Sequence, residues 1–278
     1  MNTAAPPRPL PIDVVSIQSQ VVYGHVGNSA AVPTLQAMGM RVAAVPTVIL
    51  SNTPHYPTLH GGPVPADWFA GYLQDLLARD ILLHVRAVLV GFLGAAEQTA
   101  VLADWLGQAL RVRPALRIHI DPVMGDFDHG AYTDPALAQA WRTLLPHAHG
   151  LTPNHFELEQ LAGGPLRTMD DVQDAACGLL GPTTQWVVVT SAAPRQWPPG
   201  QMHVALVTPT YRRVYRHAHI ACGAKGVGDL FAARLAGHLL AGMPVETAVE
   251  HACRHVVAVL RDTVAHGWQE LALPLGRA

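Results

Sequence analysis

Short runs that are apolar at every position recur along this chain, separated by longer stretches whose apolar residues repeat every three to four positions. Residues 87–92 (Ala-Val-Leu-Val-Gly-Phe) and 185–190 (Gln-Trp-Val-Val-Val-Thr) are the clearest of these runs. A strand with one wet face alternates apolar and polar side chains, whereas a strand without that alternation has to be covered on both faces. Parallel neighbours need a long crossover, which a helix supplies. The pattern therefore calls for an α/β fold with a mostly parallel central sheet, helices on both faces, and a small lid or edge hairpin.

Taken in order, the spacing predicts a strand over 13–18, a helix over 28–38, a second apolar run over 41–48 and a loop or small strand pair over 49–65. A helix over 66–79 precedes the 87–92 strand, and a helix over 97–110 precedes a strand over 117–121. Residues 122–135 carry Gly and Asp in a loop long enough to act as a lid. Helices follow over 136–145, 155–161 and 169–180, then the strand over 185–190, a proline-rich turn over 193–200 and an edge hairpin from 204–207 and 212–216. Helices over 227–240 and 245–264 close the chain. No repeat or composition break marks a linker, so one domain is expected over 11–278.

Composition narrows the partners. Charged residues make up 14% of the 278 and the formal net charge is −2, which leaves no footprint for nucleic acid or an anionic membrane. A small molecule is the expected partner. Residues 1–10 lack the apolar core of a signal peptide and read as a disordered leader on a cytoplasmic protein. Cys177, Cys222 and Cys253 are odd in number and form no CxxC pair, which argues against a disulfide framework or a zinc ribbon. Of the sixteen histidines, His251 and His255 share a helix face, but no glutamate follows His251 as in a metalloprotease helix. The histidines are read as structural or surface residues.

The stretch Gly223-Ala224-Lys225-Gly226-Val227-Gly228-Asp229 runs a glycine turn into a helix pattern continued by Phe231, Leu235 and Leu239. N–H groups at a helix start lack internal partners and carry the positive end of the dipole, and glycines let an anion approach them. Lys225 is the only lysine in the chain, and a compact ammonium suits phosphate as a point charge. Asp229 then has two readings. It is either a first-turn acid favoured by the dipole or a base placed beside bound phosphate.

Ligands of parallel sheets bind at the carboxyl ends of the strands. Ser19, Thr47, Phe92, Asp121, Thr152 and Thr190 each fall at or just past an expected strand end. Asp121, Asp126 and Glu157 add oxygen ligands suited to Mg²⁺ held through waters and phosphates. No GxxxxGK[ST] is present, and Gly24-His25-Val26-Gly27 is too sparse for a dinucleotide fingerprint, which disfavours a dehydrogenase. Phosphoryl transfer needs an amide cradle, a cation and a positioned base. Gly226 to Gly228, Lys225 with Mg²⁺, and Asp229 meet those needs.

Gly226-Val227-Gly228-Asp229 resembles the late GxGD motif of the ribokinase-like sugar and vitamin kinases. Within that superfamily, residues 16–28, 45–56, 121–126 and 152–157 resemble the bacterial pyridoxine/pyridoxal/pyridoxamine kinases, as do residues 186–191 and 270–274. The resemblance implies contacts of Ser19, Thr47, His55 and Phe92 with a vitamin B6 acceptor. It implies nucleotide or metal contacts at Asp121, Tyr132, Thr152, Glu157 and Thr190, an anion hole at Gly226, Val227 and Gly228, and Asp229 as base on the 5′-hydroxymethyl group. It further implies ATP as co-substrate, Mg²⁺, and a homodimer, and it leaves a K⁺ requirement open. Phe92 stands where the family has Tyr, and Val227 where Thr or Ala is commoner. The alternatives are a hydroxymethylpyrimidine kinase on the same fold and a non-catalytic pyridoxal-binding protein.

Overall fold

The computed structural model describes residues 9–274. All but the last two positions of the expected leader lie outside these residues. The chain opens with β1 (Val14–Tyr23), α1 (Asn28–Ala37), β2 (Val42–Asn52), β3 (Gly61–Pro63) and α2 (Ala66–Ala78). Next come β4 (Ala87–Val90), α3 (Ala96–Val112), β5 (Arg117–Ile120) and a two-strand lid hairpin, β6 (Gly125–Asp126) with β7 (Gly130–Ala131). After α4 (Pro135–Ala140) the chain adds β8 (Gly150–Leu151), α5 (His155–Ala162), α6 (Met169–Gly178) and β9 (Trp186–Val189). The edge hairpin β10 (Gln201–Val207) and β11 (Arg212–Ala218) is followed by α7 (Val227–Leu240) and α8 (Val245–His266).

The nine strands outside the lid form one sheet in the order β11-β10-β9-β8-β5-β4-β1-β2-β3. The run from β9 to β2 is parallel, and β10, β11 and β3 pair antiparallel at the edges. Successive residues of a strand point to opposite faces, and here both faces are dry. Val15, Ile17, Val88, Val90, Val187 and Val189 pack into one core with α2 to α6. Val14, Ala87, Leu89 and Val188 face the other side, under α1, α7 and α8. The double covering explains why the strands read as apolar runs.

Three expectations change. The first strand does not stop at 18 but runs on to Tyr23, pairing Gln20 with Ile49 and Tyr23 with Asn52 after a register shift. Ser19 and Thr47 therefore sit inside β1 and β2, in that irregularity, and not past strand ends. The helix expected over 136–145 ends at Ala140 and continues as short 3₁₀ turns. Pro146, which has no N–H to donate, lies in the last of these turns and stops the helix from running on. Finally, the lid segment is a folded hairpin and not an open loop.

Candidate active site

The head of α7 is built by Gly226, which caps the helix with φ +88° in the left-handed region. A side chain there would also collide with the carbonyl of His25, so only glycine closes this turn. Gly228 is different. A methyl at that position meets only Asp121 Oδ2, at 3.7 Å, so no protein atom demands the glycine. The open space lies over the first-turn N–H groups of α7, where an anion binds best.

Asp229 is the third residue of α7, and its Oδ2 accepts a 2.8 Å hydrogen bond from the Gly27 N–H. Burial pushes its carboxyl up to about 6, with the Gly27 bond opposing. Asp121, next after β5, is raised further, to about 8, by burial first and then by the charge of Asp229, with the Thr152 hydroxyl opposing. Glu157 also lies well above the ordinary range, through burial and the charge of Asp121. Three buried carboxyls, all raised by burial and two of them also by a neighbouring acid, make a site short of positive charge.

Glu157 has structural work as well. Its Oε2 accepts from Asn154 N–H at 2.7 Å and its Oε1 from Met124 N–H at 3.1 Å, while Asn154 Oδ1 accepts from Glu157 N–H at 2.9 Å. The first and third of these bonds form a capping box on α5. The Met124 bond anchors the root of the lid. Among the described residues no three His, Cys, Asp or Glu side chains converge as a cage for a metal ion. Asp121 and Glu157 fit Mg²⁺ retained mainly through waters and phosphate oxygens, and the shortage of positive charge favours it.

The lid contributes two side chains. Asp126 Oδ1 accepts from the N–H groups of Asp128 and His129, and its Oδ2 lies 4.0 Å from Lys225 Nζ. Lys225 thus ties the anion loop to the lid. Tyr132 is half exposed, and its hydroxyl is held above its usual pKa by burial and then by the charges of Glu157, Asp126, Asp121 and Asp229. It remains a neutral phenol, a hydrogen-bond donor and not an anionic ligand. Thr152 and Thr190 follow β8 and β9 on the same rim, where Thr190 N–H bonds the Pro153 carbonyl at 3.0 Å.

Ser19 lies against Gly27, where a side chain would meet the Ser19 hydroxyl and carbonyl. Ser19 and Asp229 therefore flank one peptide. Thr47 is fully buried and its hydroxyl donates to the Phe92 carbonyl at 2.6 Å, so it holds the backbone after β4 and presents no free hydroxyl. The His55 ring stacks near Tyr56 at 4.2 Å between centroids. Both of its nitrogens lack hydrogen-bond partners among the described residues.

Sequence reasoning left three participants without a role: the Gly27 N–H, His25 and Glu270. Glu270 Oε1 accepts from the Thr53 hydroxyl at 2.6 Å and Oε2 from the His25 N–H at 3.0 Å. The signals that pointed to it were a lone acid just before the apolar segment Leu271-Ala272-Leu273-Pro274 and the family resemblance over residues 270–274.

The model of the phosphomethylpyrimidine kinase family matches residues 23–273. The chain is 56% identical to the pyridoxine/pyridoxal/pyridoxamine kinase of Bordetella bronchiseptica, over 98% of both chains. It is 35% identical to the pyridoxal kinase PdxY of Rubrobacter xylanophilus, covering 94% of this chain and 91% of that one. Among solved structures, a pyridoxal kinase from Leishmania donovani, in complex with ADP and pyridoxamine, superposes with a TM-score of 0.86. Its identity is 29%, over 95% of this chain and 90% of that one. With a glycine-capped helix start, a buried aspartate in its first turn and this extent of likeness, the chain belongs to the phosphomethylpyrimidine kinase family and, within it, to the pyridoxine/pyridoxal/pyridoxamine kinases.

Proposed function

We propose that the protein transfers the γ-phosphoryl group of ATP to the 5′-hydroxymethyl group of pyridoxine, pyridoxal or pyridoxamine. One observation supports this above others. Asp229 stands at the head of α7 beside an anion site, with one oxygen held by Gly27 and Ser19 on the far side of that peptide. In this reading Asp229 takes the proton of the attacking hydroxyl, the new O–P bond forms, and the bond from γ-phosphorus to the bridging oxygen breaks to release ADP. The N–H groups of Val227, Gly228 and Asp229 hold the transferred group, and Lys225 exchanges Asp126 for phosphate. Thr152, Thr190 and Tyr132 bind the nucleotide. Phe92 and His55 bind the acceptor ring.

Asp121 and Glu157 would hold Mg²⁺, which supplies charge neutralisation on the phosphates when bound. Burial raises both carboxyls, and the charge of Asp121 raises Glu157 further, which supports that assignment. The protein acts as a homodimer in this reading, for which Val22, Tyr23 and Trp268 offer exposed apolar surface; its mass in solution by light scattering tests that. A cytoplasmic location is supported by three unpaired cysteines and by the lack, among the described residues, of a helix long and apolar enough to cross a membrane.

The deciding experiment incubates purified protein with Mg-ATP and each B6 vitamer, and in parallel with hydroxymethylpyrimidine and with phosphomethylpyrimidine, the pyrimidine that the family description names. Formation of a B6 5′-phosphate is expected. Phosphorylation of a pyrimidine alone transfers the reading to that acceptor, and ADP release without any of these products removes it.

A further inference from the structure

Glu270 is 8% exposed and sits beyond α8, far from the reacting atoms in sequence. Its carboxylate joins two loops. Oε2 takes the N–H of His25 from the loop after β1, and Oε1 takes the hydroxyl of Thr53 from the loop after β2. His55 Nε2 lies 3.8 Å from the same Oε1. The approach is close enough that Gly24, at φ +103°, has no room for a side chain: a methyl there would lie 2.6 Å from Oε2 and 2.7 Å from Thr53 Cγ2. One peptide further on, the His25 carbonyl abuts Gly226, the cap of the anion site.

We propose that Glu270 is a positioning residue for the acceptor, clamping the His25 and Thr53 loops so that His55 faces the ring. The proposal rests on the kinase reading above. Glu270 touches neither the anion site nor the nucleotide side, so its loss acts on acceptor binding and leaves nucleotide binding alone. A buried carboxylate with two donors leaves both donors unpaired when it is removed, and each such loss is worth about tenfold in an equilibrium constant.

Steady-state kinetics on Glu270→Ala, Glu270→Gln and Thr53→Val test it, with affinity for a non-hydrolysable ATP analogue and Tm measured alongside. The expected result is an acceptor KM raised about tenfold or more in Glu270→Ala, with analogue affinity within about twofold of the parent. Glu270→Gln keeps an acceptor for one loop and recovers part of the loss, and Thr53→Val, isosteric and with one bond removed, falls between. An unchanged acceptor KM in Glu270→Ala and Thr53→Val overturns the proposal, as does a parallel loss of analogue affinity. If Glu270→Ala does not fold, Thr53→Val and Glu270→Gln decide by the same criterion. A parent protein that phosphorylates no B6 vitamer overturns the kinase reading itself, whereas an active parent with unchanged variants overturns the role of Glu270 alone.

Discussion

The carboxylate of Asp229 accepts a 2.8 Å hydrogen bond from the Gly27 N–H across 202 residues of sequence. This bond fixes one oxygen of the acid. It also favours the ionised form against the burial that disfavours it. The head of α7 and the loop after β1 are thereby held as one unit, with Ser19 packed on the other side of Gly27.

Asp229→Asn keeps the shape of the side chain and removes the proton acceptor. Turnover is expected to fall by about 10²–10⁴ while ATP-analogue affinity stays within a few-fold. Near-parental turnover in this variant, measured with a saturating B6 acceptor, removes the role given to Asp229.

The two glycines of the anion site separate stability from activity. Gly226→Ala meets the His25 carbonyl at a positive φ and is expected to lower stability by about 1–3 kcal/mol. Gly228→Ala meets only Asp121 at 3.7 Å, so its Tm should match the parent while the methyl obstructs phosphate and activity drops. Thermal melts and initial rates on both variants check the contrast.

Asp121 carries a pKa raised to about 8 from 3.8, so the folded state binds more protons than the unfolded state between those values. Its contribution to stability is full below pH 4 and is lost as pH rises toward 8. Asp121→Asn removes that penalty. At pH 8 without nucleotide or metal, Tm should rise by about 2–4 °C or more, with little gain at pH 4 and with activity lost. An equal shift at both pH values contradicts the assignment.

His119 has the opposite sign. Burial holds it at about 3 from 6.5, with His149 and Arg117 adding to the effect, so the unfolded state binds the extra proton in that window. Stability is present above pH 6.5 and drains as pH falls toward 3. His119→Phe preserves the edge-on contact with Trp186, whose ring centroid lies 5.2 Å away. The variant should lose less stability than the parent between pH 6.5 and 5, as followed by urea titration.

Elements governed by local chemistry were legible in the sequence. The residues of α7 were bounded as Val227–Leu240 because a glycine precedes a clean apolar period. β4 and β9 were legible because their neighbours cover both faces. β1 was underestimated because its outer half pairs only with β2, so Ser19, Gln20 and Tyr23 need not be apolar. The Thr47 hydroxyl looked like a pocket contact, but its partner, the Phe92 carbonyl, lies 45 residues away. Glu157 is legible twice over, since the pattern that predicts a cap also places an acid on the rim.

By itself the sequence determined the parallel sheet, the glycine-capped start of α7 and the acids along the rim. Each follows from periodicity, from backbone groups orphaned at a helix end, or from position after a strand, all of which are properties of adjacent residues. Only the tertiary structure decided that Gly27 orients Asp229, that the charge of Asp229 raises the proton affinity of Asp121, and that Glu270 joins His25 to Thr53. Those relations rest on contacts between residues more than a hundred positions apart. Burial and Coulomb interaction depend on distance through space, so they take values only once the chain has closed on itself.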